Sequence, residues 1–95
     1  MDNYQPKPLD VDGVNLPEEV ALLAEELSEN THEVWAQGKM EEGWTYGEKL
    51  DTAKKTHPSL VPYCELSEAQ KDYDRRTSLG ALKFVLAKGF KIVKE

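Results

Sequence analysis

Cysteine is nearly absent from this chain: Cys64 stands alone, so no internal disulfide can form, and the composition fits a reducing compartment. Long apolar runs are missing as well. No stretch approaches the ~20 residues that a helix needs to cross a bilayer, and the opening Met1-Asp-Asn-Tyr-Gln-Pro6 is neither basic nor apolar, so neither a span nor a signal peptide is expected. Basic charge is scarce too. Twelve Lys and Arg against 18 Asp and Glu give a net charge of -6, which argues against a nucleic-acid backbone or an anionic membrane as the main partner. A soluble, cytoplasmic protein is the expectation.

The charge is uneven along the chain: residues 1–48 carry a net -10 and residues 49–95 a net +4. Opposite faces of two copies, or of a host protein, could pair through that polarity, although solvated helix faces explain it equally well. The 95 residues make one domain, 1–95, with room for a single modest core.

The unusual residues gather in Thr31–Gly47, which holds both tryptophans, one of the two histidines and three of the six glycines. On its N-terminal side, Pro6, Pro8 and the turn signal Asp10-Val-Asp-Gly13 predict an extended arm over residues 1–16. Pro17 followed by Glu18 and Glu19 marks a helix start. Val20, Leu23, Ala24, Leu27, Thr31, Val34 and Trp35 then repeat at helical spacing, which predicts a helix over 17–37 ending at Gly38. Residues 39–66 read as a long connection punctuated by Gly43, Gly47, Pro58 and Pro62. Within it, Trp44-Thr-Tyr46 suits a short strand, Glu48–Lys55 a helical turn, and His57–Tyr63 an extended run anchored by Leu60, Val61 and Tyr63.

Ser67-Glu-Ala-Gln70 is a capping-box pattern that predicts a helix through Arg76, with Leu66 as its staple. Thr77 offers a second N-cap. Leu79, Leu82, Val85 and Leu86 continue a helical stripe to Lys88-Gly89, and Phe90–Val93 suits a final strand paired with Trp44–Tyr46. Two main helices, a short extra helix and a small two-stranded β-ribbon make a mostly α (α+β) domain.

Catalytic templates fail here. His32-Glu33 has the first half of a zinc-protease helix motif, but Ala36 stands where the second ligand belongs. Gly38-Lys39 resembles the end of a phosphate loop, yet Glu33 occupies the position of its first glycine. Nothing in the sequence brings Cys64 to His32 or His57 as a nucleophile pair. No enzyme, metal site or cofactor is expected. Arg75-Arg-Thr-Ser78 matches a basophilic kinase preference at Ser78, though helix-start residues after terminal arginines account for it more simply. Trp44 reads as core, while Trp35, at the end of its helix, is open to either a core or a ligand role.

Asn30-Thr-His-Glu-Val-Trp35, Glu42-Gly-Trp-Thr-Tyr-Gly47, His57-Pro-Ser-Leu-Val-Pro-Tyr63, Lys71-Asp-Tyr-Asp-Arg75 and Leu82–Ile92, with Pro6-Lys-Pro-Leu-Asp10 as lead-in, resemble the ryanodine-receptor repeat, or RyR domain, over about residues 4–93. The resemblance implies an antiparallel helical hairpin with a long connecting loop and short strands. In the intracellular calcium-release channels such repeats form tandem pairs about an approximate two-fold axis, so this chain looks like one half of a pair, of the stand-alone prokaryotic type. Its acidic residues form no 12-residue calcium loop. The resemblance implies one of two roles. One is an interaction module, a homodimer or a unit docking onto a partner protein. The other is a sensor holding a nucleotide-like small molecule between two copies, with Trp35 and Tyr46 offering rings, His32 flanking the base, and Lys54 or Lys55 meeting phosphate.

Overall fold

A computed structural model describes residues 3–95. The chain passes from an extended arm into α1 (Glu18–Ala21), α2 (Ala24–Glu41), β1 (Thr45–Tyr46), β2 (Thr56–His57), a 3-10 turn (Tyr63–Glu65) and α3 (Glu68–Ala87). The α2 and α3 helices form an antiparallel hairpin: Leu27 and Leu82 share one groove, Ser28 meets Ser78, and Trp35 lies opposite Gln70 and Tyr73. The connection between them folds back against one end of the hairpin.

The helix expected over 17–37 is divided and extended. Pro17 takes the N-cap and Glu18 and Glu19 the first turn, but Leu23 N–H bonds to Val20 O in 3-10 fashion before α2 begins. No Gly, Pro or capping side chain marks that break. At the other end, α2 runs through Gly38 to Glu41 and stops at Gly43, whose φ of 94° is open to glycine. Gly43 N–H bonds Met40 O and Trp44 N–H bonds Lys39 O, the double closure of a Schellman motif. The Lys39 ammonium lies 4.8 Å from the centre of the Trp44 ring, so the residue after the glycine clamps the last turn.

The core-facing line of α2 is also displaced from the apolar stripe. Ser28, His32 and Ala36 are buried, whereas Val34 is 61% and Leu23 50% exposed. Small and polar side chains let the helices approach at Ser28 and Ser78, whose hydroxyls sit 3.4 Å apart. Each also donates to the carbonyl four residues earlier, Ala24 O and Asp74 O, so neither is left unsatisfied.

At the start of α3, Ser67 Oγ accepts from Gln70 N–H and Gln70 Oε1 accepts from Ser67 N–H, as the capping box predicts. The helix does not break at Arg76. Thr77 and Ser78 lie inside one continuous helix, because Ser78 turns its hydroxyl back onto the helix rather than capping a new one. Gly89, at φ 96°, ends it as expected.

The ribbon has a different partner from the one expected. β1 pairs in parallel with β2, Thr45 opposite Thr56, while Phe90–Val93 forms no strand. Residues 48–55 make a turn rather than a helical segment, closed by an Asp51–Thr56 bridge and by Lys55 at φ 55°. Gly47 permits the approach: a Cβ there would lie 2.5 Å from Thr56 Cβ. Leu60 and Tyr63 are buried and Val61 half-buried, so the expected anchors hold the loop.

Candidate functional site

Where the folded-back loop meets the hairpin, a cavity of about 210 Å³ opens. His32 and Trp35 reach it from α2, His57 and Ser59 from the end of β2, and Gln70, Tyr73 and Asp74 from α3, with Leu66 at its base. The helical spacing explains the convergence: 32 and 35 lie one turn apart on one face of α2, and 70, 73 and 74 on one face of α3.

Aromatic and imidazole rings form its wall. Trp35 stacks on His32 with centroids 5.6 Å apart and meets His57 edge-on at 4.9 Å. Trp44 is edge-on to His57 from the other side at 6.2 Å, half-buried as a clamp between helix end and ribbon. His32 Nε2 lies 2.7 Å from Val61 O; a carbonyl only accepts, so this nitrogen carries the proton and ties α2 to the loop. For His57, Ser59 N–H donates to Nδ1 at 3.0 Å, which places the neutral ring's proton on Nε2. Burial, reinforced by the nearby Lys39 charge, pushes the His57 pKa below its ordinary value.

An ion cluster braces the hairpin beside the cavity. Arg75 binds both carboxylate oxygens of Glu25 of α2 through Nε and Nη2, the side edge of its guanidinium, and its Nη1 pairs with Asp72 and Glu68. Its hydrogen bonds hold the Glu25 carboxyl below and the Arg75 guanidinium above their ordinary pKa ranges. Tyr63 adds its hydroxyl to Glu25, and burial raises the Tyr63 pKa. Arg75 and Ser78 are therefore bracing and packing groups, with Ser78 Oγ buried between the helices.

Of the residues expected at a ligand, only His32 and Trp35 line this cavity. Tyr46 is exposed on β1, outside it. Lys54 is exposed on the 48–55 turn, and Lys55 donates its ammonium to Glu42 O beside Gly43. His57, Gln70, Tyr73 and Asp74 complete the wall but lie outside the Thr31–Gly47 cluster. The i, i+3, i+4 spacing of 70, 73 and 74 was the available signal.

Among the described residues no group of three His, Cys, Asp or Glu side chains is placed to share a metal ion. Cys64 is exposed and outside the cavity. Among the same residues no helix is long and apolar enough to cross a membrane. A family model described as the RyR domain matches residues 4–94, nearly the whole chain. With that match over the same hairpin, loop and strands, the chain belongs to the RyR domain family.

Proposed function

We propose that this chain is a single-domain, non-enzymatic interaction module that self-associates through the apolar face at the α1 end of its hairpin. One observation carries the reading. The chain exposes 7760 Å² at 10.8 kDa, where a compact monomer of that mass exposes about 5,500 Å². The extended arm supplies part of the excess. Exposed Leu22, Leu23, Phe90 and Val93 supply another part, Leu23 and Val93 lining two grooves that share Val20 and Leu23, while exposed Phe84 and Val85 stand beside the arm. A standard interface covers about 800 Å² per partner, well within that excess.

The occupant we favour is a second copy. Glu18, Glu19 and Glu26 border the grooves from α1 and α2, and Lys94 from the C-terminal segment, which also carries Lys88 and Lys91. Two copies related by a two-fold axis can set acidic edge against basic segment twice. The free Cys64 suits the reducing cytoplasm, to which we assign the module. Sedimentation velocity across a dilution series is the test. A dimer that dissociates on Leu23→Glu and weakens with salt supports the reading. A monomer at every concentration overturns self-association and leaves docking onto a partner protein as the module's mode of action.

A second reading is ligand sensing, favoured by the ring-lined cavity at Trp35. In this reading a nucleotide-like molecule occupies a cleft between two copies, its base on Trp35. Calorimetry with a nucleotide panel, on the native chain and on Trp35→Ala, tests it; no heat with any nucleotide would sink it.

A further inference from the structure

We propose that the cavity at Trp35 is, within one chain, a binding site for a small organic ammonium ion of trimethylammonium type. The inference goes beyond both readings above, since it needs no second copy and no nucleotide.

Size comes first. At about 210 Å³ the cavity equals roughly seven water molecules' share of liquid volume, enough for a nitrogen with its alkyl groups. A complete nucleotide or a drug-sized ligand belongs to the larger class of about 300–1,000 Å³. Charge comes next. Asp74 is the one carboxylate on the wall, it is half-buried, and among the described residues its carboxyl oxygens have neither an ion pair nor a hydrogen bond. The neighbouring Arg75 does not neutralise it, because its guanidinium is engaged by Glu25, Asp72 and Glu68.

No lysine or arginine lines the wall, so the cavity offers no cationic side chain to a phosphate. Lys39 lies over the Trp44 ring, Lys55 is bound to Glu42 O, and Lys71 pairs with Glu68. Of the wall histidines, His57 accepts from Ser59 N–H at Nδ1, as only a neutral ring can, and His32 spends its Nε2–H on Val61 O.

The rings supply the third element. Trp35 is only partly covered by His32 and His57, and Tyr73, 66% exposed, stands at the solvent side of the cavity. Aromatic faces carry negative quadrupole charge and attract alkylammonium ions, more strongly where water is partly excluded. A lone carboxylate beside such rings and a cavity too small for a nucleotide select a compact, weakly hydrated cation. Sodium, which keeps its water, gains nothing from the rings.

The test is an amide-resolved NMR titration of the native chain with choline and with 3,3-dimethyl-1-butanol, the uncharged shape equivalent of choline. Choline is expected to saturate shifts around Trp35, His57 and Asp74 with a dissociation constant on the order of millimolar, and the neutral alcohol to bind about tenfold or more weakly. Asp74→Asn, which keeps the side chain's size, should weaken choline about tenfold. Trp35→Phe, chosen so that a ring still fills the position, should weaken it by a smaller factor. Equal binding of choline and the alcohol overturns the proposal, as does the absence of shifts at about 50 mM choline or an unaffected Asp74→Asn. Adenosine monophosphate is titrated alongside: nucleotide binding without choline binding refutes the cation site while preserving the nucleotide reading, and the reverse result separates them the other way.

Discussion

His32→Phe isolates one hydrogen bond on which the loop depends. The native ring is 3% exposed, donates Nε2–H to Val61 O at 2.7 Å, and stacks 5.6 Å from Trp35. Phenylalanine keeps a ring in the stack and removes the donor, so the Val61 carbonyl loses its side-chain partner. Leaving a fully buried polar group unpaired costs about 1–3 kcal/mol, which is the upper bound for the carbonyl of half-buried Val61. For a domain of this length each kcal/mol shifts Tm by about 4–8 °C, so a fall of roughly 5–20 °C is expected. Against a total stability of about 5–15 kcal/mol this is a large fraction. Urea denaturation followed by far-ultraviolet circular dichroism measures it, with Tm from a parallel thermal scan. His32→Ala should cost a further 1–3 kcal/mol or so, because it also empties the space of the ring. A His32→Phe variant within about 0.5 kcal/mol of the native chain would refute the argument that this bond fastens the loop to α2.

Gly47→Ala should destabilise by about 1–3 kcal/mol, since its Cβ would fall 2.5 Å from Thr56 Cβ; a native-like urea midpoint would mean that the ribbon yields at no cost. Ser67→Ala removes the acceptor for Gln70 N–H and should cost about 1 kcal/mol by the same assay. The depressed His57 pKa sets a pH dependence. The unfolded chain takes up a proton near pH 6.5 while the folded chain resists it, so this contribution to stability is present above 6.5 and is lost as pH falls toward the folded value. Urea midpoints measured from pH 8 to 5 should therefore decline, and His57→Gln should flatten part of that decline; an identical slope in the variant would locate the effect elsewhere.

How far the sequence foretold the fold depended on whether a signal was local. Ser67 and Gln70 close their capping box within three residues, and Gly89 ends α3 directly after Lys88, its C-cap. Gly38 and Gly43 were both available to end α2, and their neighbours decided between them: Trp44 clamps the turn after Gly43, whereas Lys39, Met40 and Glu41 carry the helix on past Gly38. Thr77 and Ser78 have the composition of a cap, but Ser78 is needed between the helices opposite Ser28, a demand that lies 50 residues away in sequence. The β1 partner failed for a related reason. Apolar alternation favoured Phe90–Val93, while pairing with Thr56–His57 came from a glycine that allows close approach and a turn that returns the chain. At the site, Trp35 and His32 were legible because they stand on one helix, and His57, Tyr73 and Asp74 join them only through tertiary folding.

The two serines at the centre of the hairpin have a mechanical consequence. Their contact fixes the distance between α2 and α3 at one point, with small groups that do not interlock. The Leu23–Leu82 groove runs along α2 past this point as far as Glu33, and the Trp35 cavity lies nearer the loop. The seam is thus a spacer, and a bulkier side chain at either serine would wedge the two helices apart.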